Sequence, residues 1–158
     1  MNAAIICVGK LKEDWQRMAC AEYLKRLSRF GSYAVREVDD LPEPSHSSEA
    51  MQRQVMEKEG KAILKQIKPG ERVIALCIKA SAPDSEKLAA HLGEIGRRGE
   101  RMAFIIGGSL GLSEEVLARA DEKISLSNLT MPHALARIVL LEQLYRSEKI
   151  LAGERYHK

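Results

Sequence analysis

Short apolar runs alternate regularly with longer amphipathic segments along this 158-residue chain. Residues 3–8 form a continuous apolar run closed by Gly9, the pattern of a strand buried on both faces. Residues 72–78 and 102–106 repeat it, residues 33–38 alternate in the two-residue period of a strand, and residues 123–126 make a short fifth. Between them, apolar positions recur every three or four residues over 12–27, 49–67, 85–98 and 132–151, and Ser113 opens a shorter segment with Glu114 and Glu115 in its first turn. These spacings predict helices. The β-α-β-α order predicts an α/β fold, a mostly parallel sheet with helices on both faces. Length and the absence of repeats or linkers predict one domain over residues 1–158.

Composition narrows the function classes. At 45% hydrophobic and 30% charged residues, the chain has enough apolar mass for a core and is not expected to be disordered. A net charge of +3 excludes binding of nucleic acid by bulk charge and leaves room for a local basic patch. Aromatics at 4% argue against a platform that stacks many bases. Cys7, Cys20 and Cys77 are odd in number and scattered, with no CxxC or Cys/His spacing. No metal site is therefore expected, and free thiols in a reducing compartment are. The apolar run 3–8 is too short for a signal or membrane segment, so a soluble cytoplasmic protein without membrane contact is expected.

In open α/β sheets ligands bind beyond the carboxyl ends of the strands, and three such ends carry informative residues. The first is 76–81. The second, Ile105-Ile106-Gly107-Gly108-Ser109-Leu110-Gly111, carries a glycine loop that is neither a GxGxxG fingerprint nor a P-loop. It reads either as a tight turn or as a backbone wall against a ligand. The third is Ser125 to His133, in which Ser127 to His133 is either a helix-capping loop, with Ser127 or Thr130 as cap, or a set of backbone groups that reads a heteroaromatic ring. His133, in the first turn of the last helix, is either a hydrogen-bonded half-buried group or a catalytic one. His46 and His91 read as surface residues. The last helix is apolar on nearly all sides, so it is either a central helix or a dimer interface. From Met131 to Lys158 five Lys and Arg face three Glu. The tail Arg155-Tyr156-His157-Lys158 combines cations for phosphate with rings for base stacking, or is an inert end.

Val8-Gly9-Lys10, Glu22-Tyr23, Glu57-Lys58-Glu59-Gly60, Ile106-Gly107-Gly108-Ser109 with Gly111-Leu112, Ser127 to His133 and Tyr156-His157 together resemble the ribosomal large subunit methyltransferase H family, small bacterial SPOUT-class enzymes. The resemblance spans essentially the whole chain. It implies a C-terminal trefoil knot, a homodimer, S-adenosylmethionine as cofactor, and methylation of N3 of a pseudouridine in 23S ribosomal RNA on the assembled ribosome. It places cofactor contacts on Leu76, Gly107, Gly108, Leu126, Ser127, Asn128, Leu129, Thr130 and Met131. Family members often carry an acidic residue and then a Gly-Lys pair after the Leu76 position, where this chain has Cys77, Ala80 and Ser81.

Methyl transfer to a ring nitrogen requires the N3 proton to leave, which a base or nearby cations assist. His133 and His157 are the candidate bases. Arg137, Arg146, Arg155, Tyr156 and His157 are the candidate RNA contacts. The competing reading is a non-catalytic α/β dimer that binds a nucleotide or the ribosome.

Overall fold

The computed structural model describes residues 1–42 and 48–156. Five strands, β1 (Asn2–Val8), β2 (Ser32–Val38), β3 (Glu71–Leu76), β4 (Arg101–Ile106) and β5 (Glu122–Ile124), form one sheet in the order β2-β1-β4-β3-β5. Every adjacent pair is parallel. Five helices connect and follow them: α1 (Asp14–Leu27), α2 (Glu49–Gln66), α3 (Ser85–Arg97), α4 (Glu114–Arg119) and α5 (His133–Leu151).

The period-two alternation of strand side chains sorts the core into two layers. Ile5, Cys7, Phe104 and Ile106 face α1, α3 and α5, in a layer completed by Leu88, Leu92, Leu140 and Leu144. Ile6, Val8, Ala103 and Ile105 face α2 and α4 through Ile63 and Val116. The expected helices on both faces are therefore present. Ser48, Asp84 and Ser113 accept hydrogen bonds from Met51, Lys87 and Val116 amides and so start α2, α3 and α4, each satisfying a donor that the first helical turn leaves free.

Element ends depart from the sequence expectation in two informative places. β3 ends at Leu76 rather than Ile78: the Cys77 amide makes the last bond to β5, to the Ile124 carbonyl at 2.8 Å, and the Ala80 amide then closes a turn on the Cys77 carbonyl. β5 stops at Ile124 because Ser125 leaves the ladder, its amide donating to the Ser81 carbonyl at 2.9 Å. The last helix has Pro132 as its N-cap, with no side-chain cap bond; neither Ser127 nor Thr130 caps it. It packs against α1 and α3 over the sheet, and Leu135 on it remains exposed.

This topology opens a crevice beside β4. The chain leaves β4 toward the α4 face, whereas it leaves β1, β3 and β5 toward the opposite face. Divergence of neighbouring loops at the carboxyl edge of a parallel sheet is where such folds make room for ligands.

Candidate functional site

A cavity of about 420 Å³ occupies that crevice. The three strand ends singled out in the sequence meet in it. Leu76 with Cys77, Ile78 and Lys79 comes from β3, Gly107, Gly108 and Gly111 from β4, and Leu126, Ser127, Leu129 and Met131 from the segment after β5. His133 and Ala136 close it from the first turn of α5. Asn128 and Thr130 are exposed and do not line it.

The wall from β4 is shaped by the absence of side chains. A Cβ on Gly107 would lie 2.8 Å from the Gly111 carbonyl oxygen, and one on Gly108 would lie 2.9 Å from Glu59 Oε2. Gly111 itself adopts φ +91°, a conformation glycine takes without strain. Two serines hold the opposite wall. Ser125 Oγ donates to the Ser127 carbonyl at 2.7 Å, and Ser127 Oγ accepts from the Leu129 amide at 3.0 Å. These bonds fold the 125–129 segment on itself, leaving Leu126 inward and Leu129 77% exposed at the rim.

His133 stands where β1 meets α5. Its Nε2 would lie 3.2 Å from a Cβ on Gly9, which turns the chain at φ +84°. Beneath that turn runs Arg137, one helical turn on from His133. Arg137 is 1% exposed, donates to the Gly9 carbonyl at 2.8 Å and pairs with Glu37 at 2.6 Å. The expectation that it meets RNA from the surface is therefore corrected: its charge is held inside by Glu37 and serves the β1–α5 junction. Cys7 lies close by, and burial, partly countered by the Arg137 charge, pushes its thiol up to about 12. Burial likewise raises the Cys77 thiol on the cavity wall. Neither is set up as a nucleophilic thiolate.

The remaining cations of α5 are engaged as well. Arg146 pairs with Glu142 at 2.6 Å and lies 4.7 Å above the Tyr156 ring. Lys149 pairs with Glu154. Tyr156 packs edge-on against Tyr145 at 5.0 Å and its hydroxyl donates to Glu142 at 3.1 Å; burial and then the Glu142 charge raise the phenol to about 12. Tyr145 is twelve residues beyond His133, roughly 18 Å along the helix axis. Tyr156 therefore packs away from the cavity of its own chain. Arg155 is exposed. His46, His157 and Lys158 lie outside the described residues. His91, read as a surface residue, meets Glu122 at 2.5 Å. Among the described residues no group of His, Cys, Asp or Glu is placed to hold a metal ion, and no helix is long and apolar enough to cross a membrane.

Of the wall residues, Ile106 ends the second of the strand segments singled out in the sequence and Leu112 belongs to the motif that carries the resemblance, whereas Leu117 has an apolar character equally explained by the core. Sequence reasoning did not weigh Glu59, buried behind Gly108. A charged residue on a helix gives no sign of burial.

A parallel sheet with a glycine-walled cavity beyond its strand ends defines an α/β ligand-binding protein. The family model described as "Predicted SPOUT methyltransferase" matches residues 1–157, and the chain belongs to that family. It is 48% identical to the ribosomal RNA large subunit methyltransferase H of Clostridium novyi (strain NT) and 49% identical to that of Listeria welshimeri, over the full length of each chain. Its fold is similar to that of a methylase family protein from Neisseria gonorrhoeae (TM-score 0.52, 14% identity, 99% and 95% of the two chains). It is also similar to TrmJ from Z. mobilis ZM4 (TM-score 0.51, 16% identity, 93% and 70%).

Enzymes of this family use S-adenosylmethionine, and the cavity suits it. Its size falls in the range of small-molecule sites, its walls are largely apolar, and the glycines of the 107–111 loop, packed too tightly on Gly111, Leu112, Val8 and Glu59 for a side chain at 107 or 108, present backbone at the wall.

Proposed function

We propose that this protein transfers a methyl group from S-adenosylmethionine to N3 of a pseudouridine in 23S ribosomal RNA on the assembled ribosome. The observation that carries the reading is the convergence of Leu76, of Gly107 and Gly108, and of Leu126, Ser127, Leu129 and Met131 on one cavity. Full-length similarity to proteins named ribosomal RNA large subunit methyltransferase H supports the substrate.

The bound sulfonium supplies an activated methyl group, so that the protein's main tasks are alignment and exclusion of water. Leu76, Leu126 and Met131 offer apolar surface to the donor, and Gly107, Gly108, Ser127 and Leu129 offer backbone. Asn128 and Thr130 act from the exposed side of the same segment. His133, on the cavity wall beside Gly9, is placed to take the N3 proton as the new N–C bond forms; His157 is the second candidate.

RNA contact falls to Arg146, Arg155, Tyr156 and His157, and the position of Tyr156 beside Tyr145 supports a role for this tail at the cavity of a second copy. Ile78, 65% exposed at the rim, and the exposed Leu129 and Leu135 supply apolar surface for such a homodimer. The C-terminal knot of the family and a cytoplasmic location accord with this reading.

The test is transfer of labelled methyl groups to ribosomes that lack the modification, with free 23S RNA alongside. Incorporation into ribosomes is expected. Incorporation only into free RNA would contradict the substrate, and binding of the donor without transfer to any RNA would favour a non-catalytic module.

A further inference from the structure

Glu59 is one of three buried residues on α2 and the only charged one among them, 4% exposed between that helix and the sheet. A carboxylate at such a position is costly unless something uses its charge or its hydrogen bonds. Oε1 accepts from the Leu41 amide at 3.1 Å. Oε2 faces Gly108, close enough that a Cβ there would meet it at 2.9 Å. The next residue, Gly60, packs so tightly on Ser113 that a Cβ would lie 2.2 Å from its Oγ. Consecutive residues of α2 thus touch both ends of the 107–113 segment that forms the cavity wall.

The charge on that wall is otherwise one-sided. Among the described residues lining the cavity none is acidic, and Lys79 is cationic. A sulfonium donor is itself a cation. We infer that Glu59 is a positioning and charge-selecting residue of the methyl-donor site, its carboxylate standing behind the Gly108 backbone as counter-charge to the sulfonium. This rests on the reading of the cavity given above. Glycine at 108 brings the carboxylate near the ligand without exposing it to water, and in a partly dry environment a charge acts more strongly than at the surface. Burial and the Asp40 charge raise the Glu59 carboxyl against the Leu41 amide, which lowers it, and a cation bound beyond Gly108 favours the ionised form.

Calorimetric titration of the full chain tests this with two ligands that differ by one methyl group and one positive charge at sulfur, S-adenosylmethionine and S-adenosylhomocysteine. Glu59→Gln retains an oxygen for the Leu41 amide and removes the charge. It is expected to weaken S-adenosylmethionine about tenfold and S-adenosylhomocysteine less than about twofold. Equal losses, or none, would overturn the proposal, because a purely structural role does not discriminate the two ligands. Should the variant fail to fold, as thermal unfolding reports, the wild-type chain decides. Sinefungin, which carries an amine in place of the methylated sulfur, is expected to bind about tenfold more tightly than S-adenosylhomocysteine, and equal binding overturns the proposal. Wild-type protein that binds none of these ligands would instead remove the cavity reading, and the proposal with it.

Discussion

Arg137 donates to the carbonyl oxygen of Gly9 at 2.8 Å and so ties α5 to the end of β1, 128 residues away in the chain. The same guanidinium holds Glu37 at the end of β2. One buried cation thereby fixes the turn against which His133 rests. Arg137→Ala is expected to lower unfolding stability by about 3 kcal/mol, from the lost buried pair and the void left behind. Urea denaturation measures it, and a loss below about 1 kcal/mol would place Arg137 among weak surface pairs.

Gly60 is a packing requirement. A Cβ there would meet the Ser113 hydroxyl, which is buried and already accepts from the Val116 amide to start α4. Gly60→Ala is expected to destabilise the protein by about 2 kcal/mol, despite alanine's better helix propensity. Stability equal to or above wild type would show that α2 shifts away without cost.

Acid sensitivity is expected at the opposite end of the sheet. Burial alone would raise the Glu71 carboxyl, but hydrogen bonds from Arg36 and the Lys68 amide outweigh it and hold the group below its ordinary value of 4.5. A depressed folded-state value means stability is present above the ordinary carboxylate range and is lost as pH falls through the folded value. Glu71→Gln is expected to flatten the fall in unfolding midpoint between about pH 5 and pH 3. An unchanged slope would contradict the assignment.

Much of this was legible in the sequence because burial leaves a pattern. The runs around Ile5, Ile74 and Phe104 announce strands covered on both faces, and their order announces a parallel sheet. The cavity walls were legible because glycines and serines cluster just after strands. The exact strand ends were not, since they depend on single tertiary bonds such as Ser125 to Ser81. Arg137 and Glu59 were not either: a charge in a helical segment looks the same whether it faces water or a buried partner, and only the assembled fold supplies Glu37 or Gly108.

The placement of Tyr156 makes a prediction about subunits. If the tail serves the cavity of a second copy, a protomer carrying His133→Ala and a protomer carrying Tyr156→Ala are each expected to be weak alone. Mixed, they regain activity, because about one site in each heterodimer is intact. No recovery on mixing, with exchange confirmed by mass, would contradict a shared site.

The atom that receives the methyl group decides the reaction. Ribosomes lacking the modification, incubated with the protein and S-adenosylmethionine, are digested to nucleosides and read by mass spectrometry. A single new product is expected, pseudouridine methylated at N3, derived from the 23S RNA. A methyl group on a different nucleoside, or on the small-subunit RNA, would contradict it.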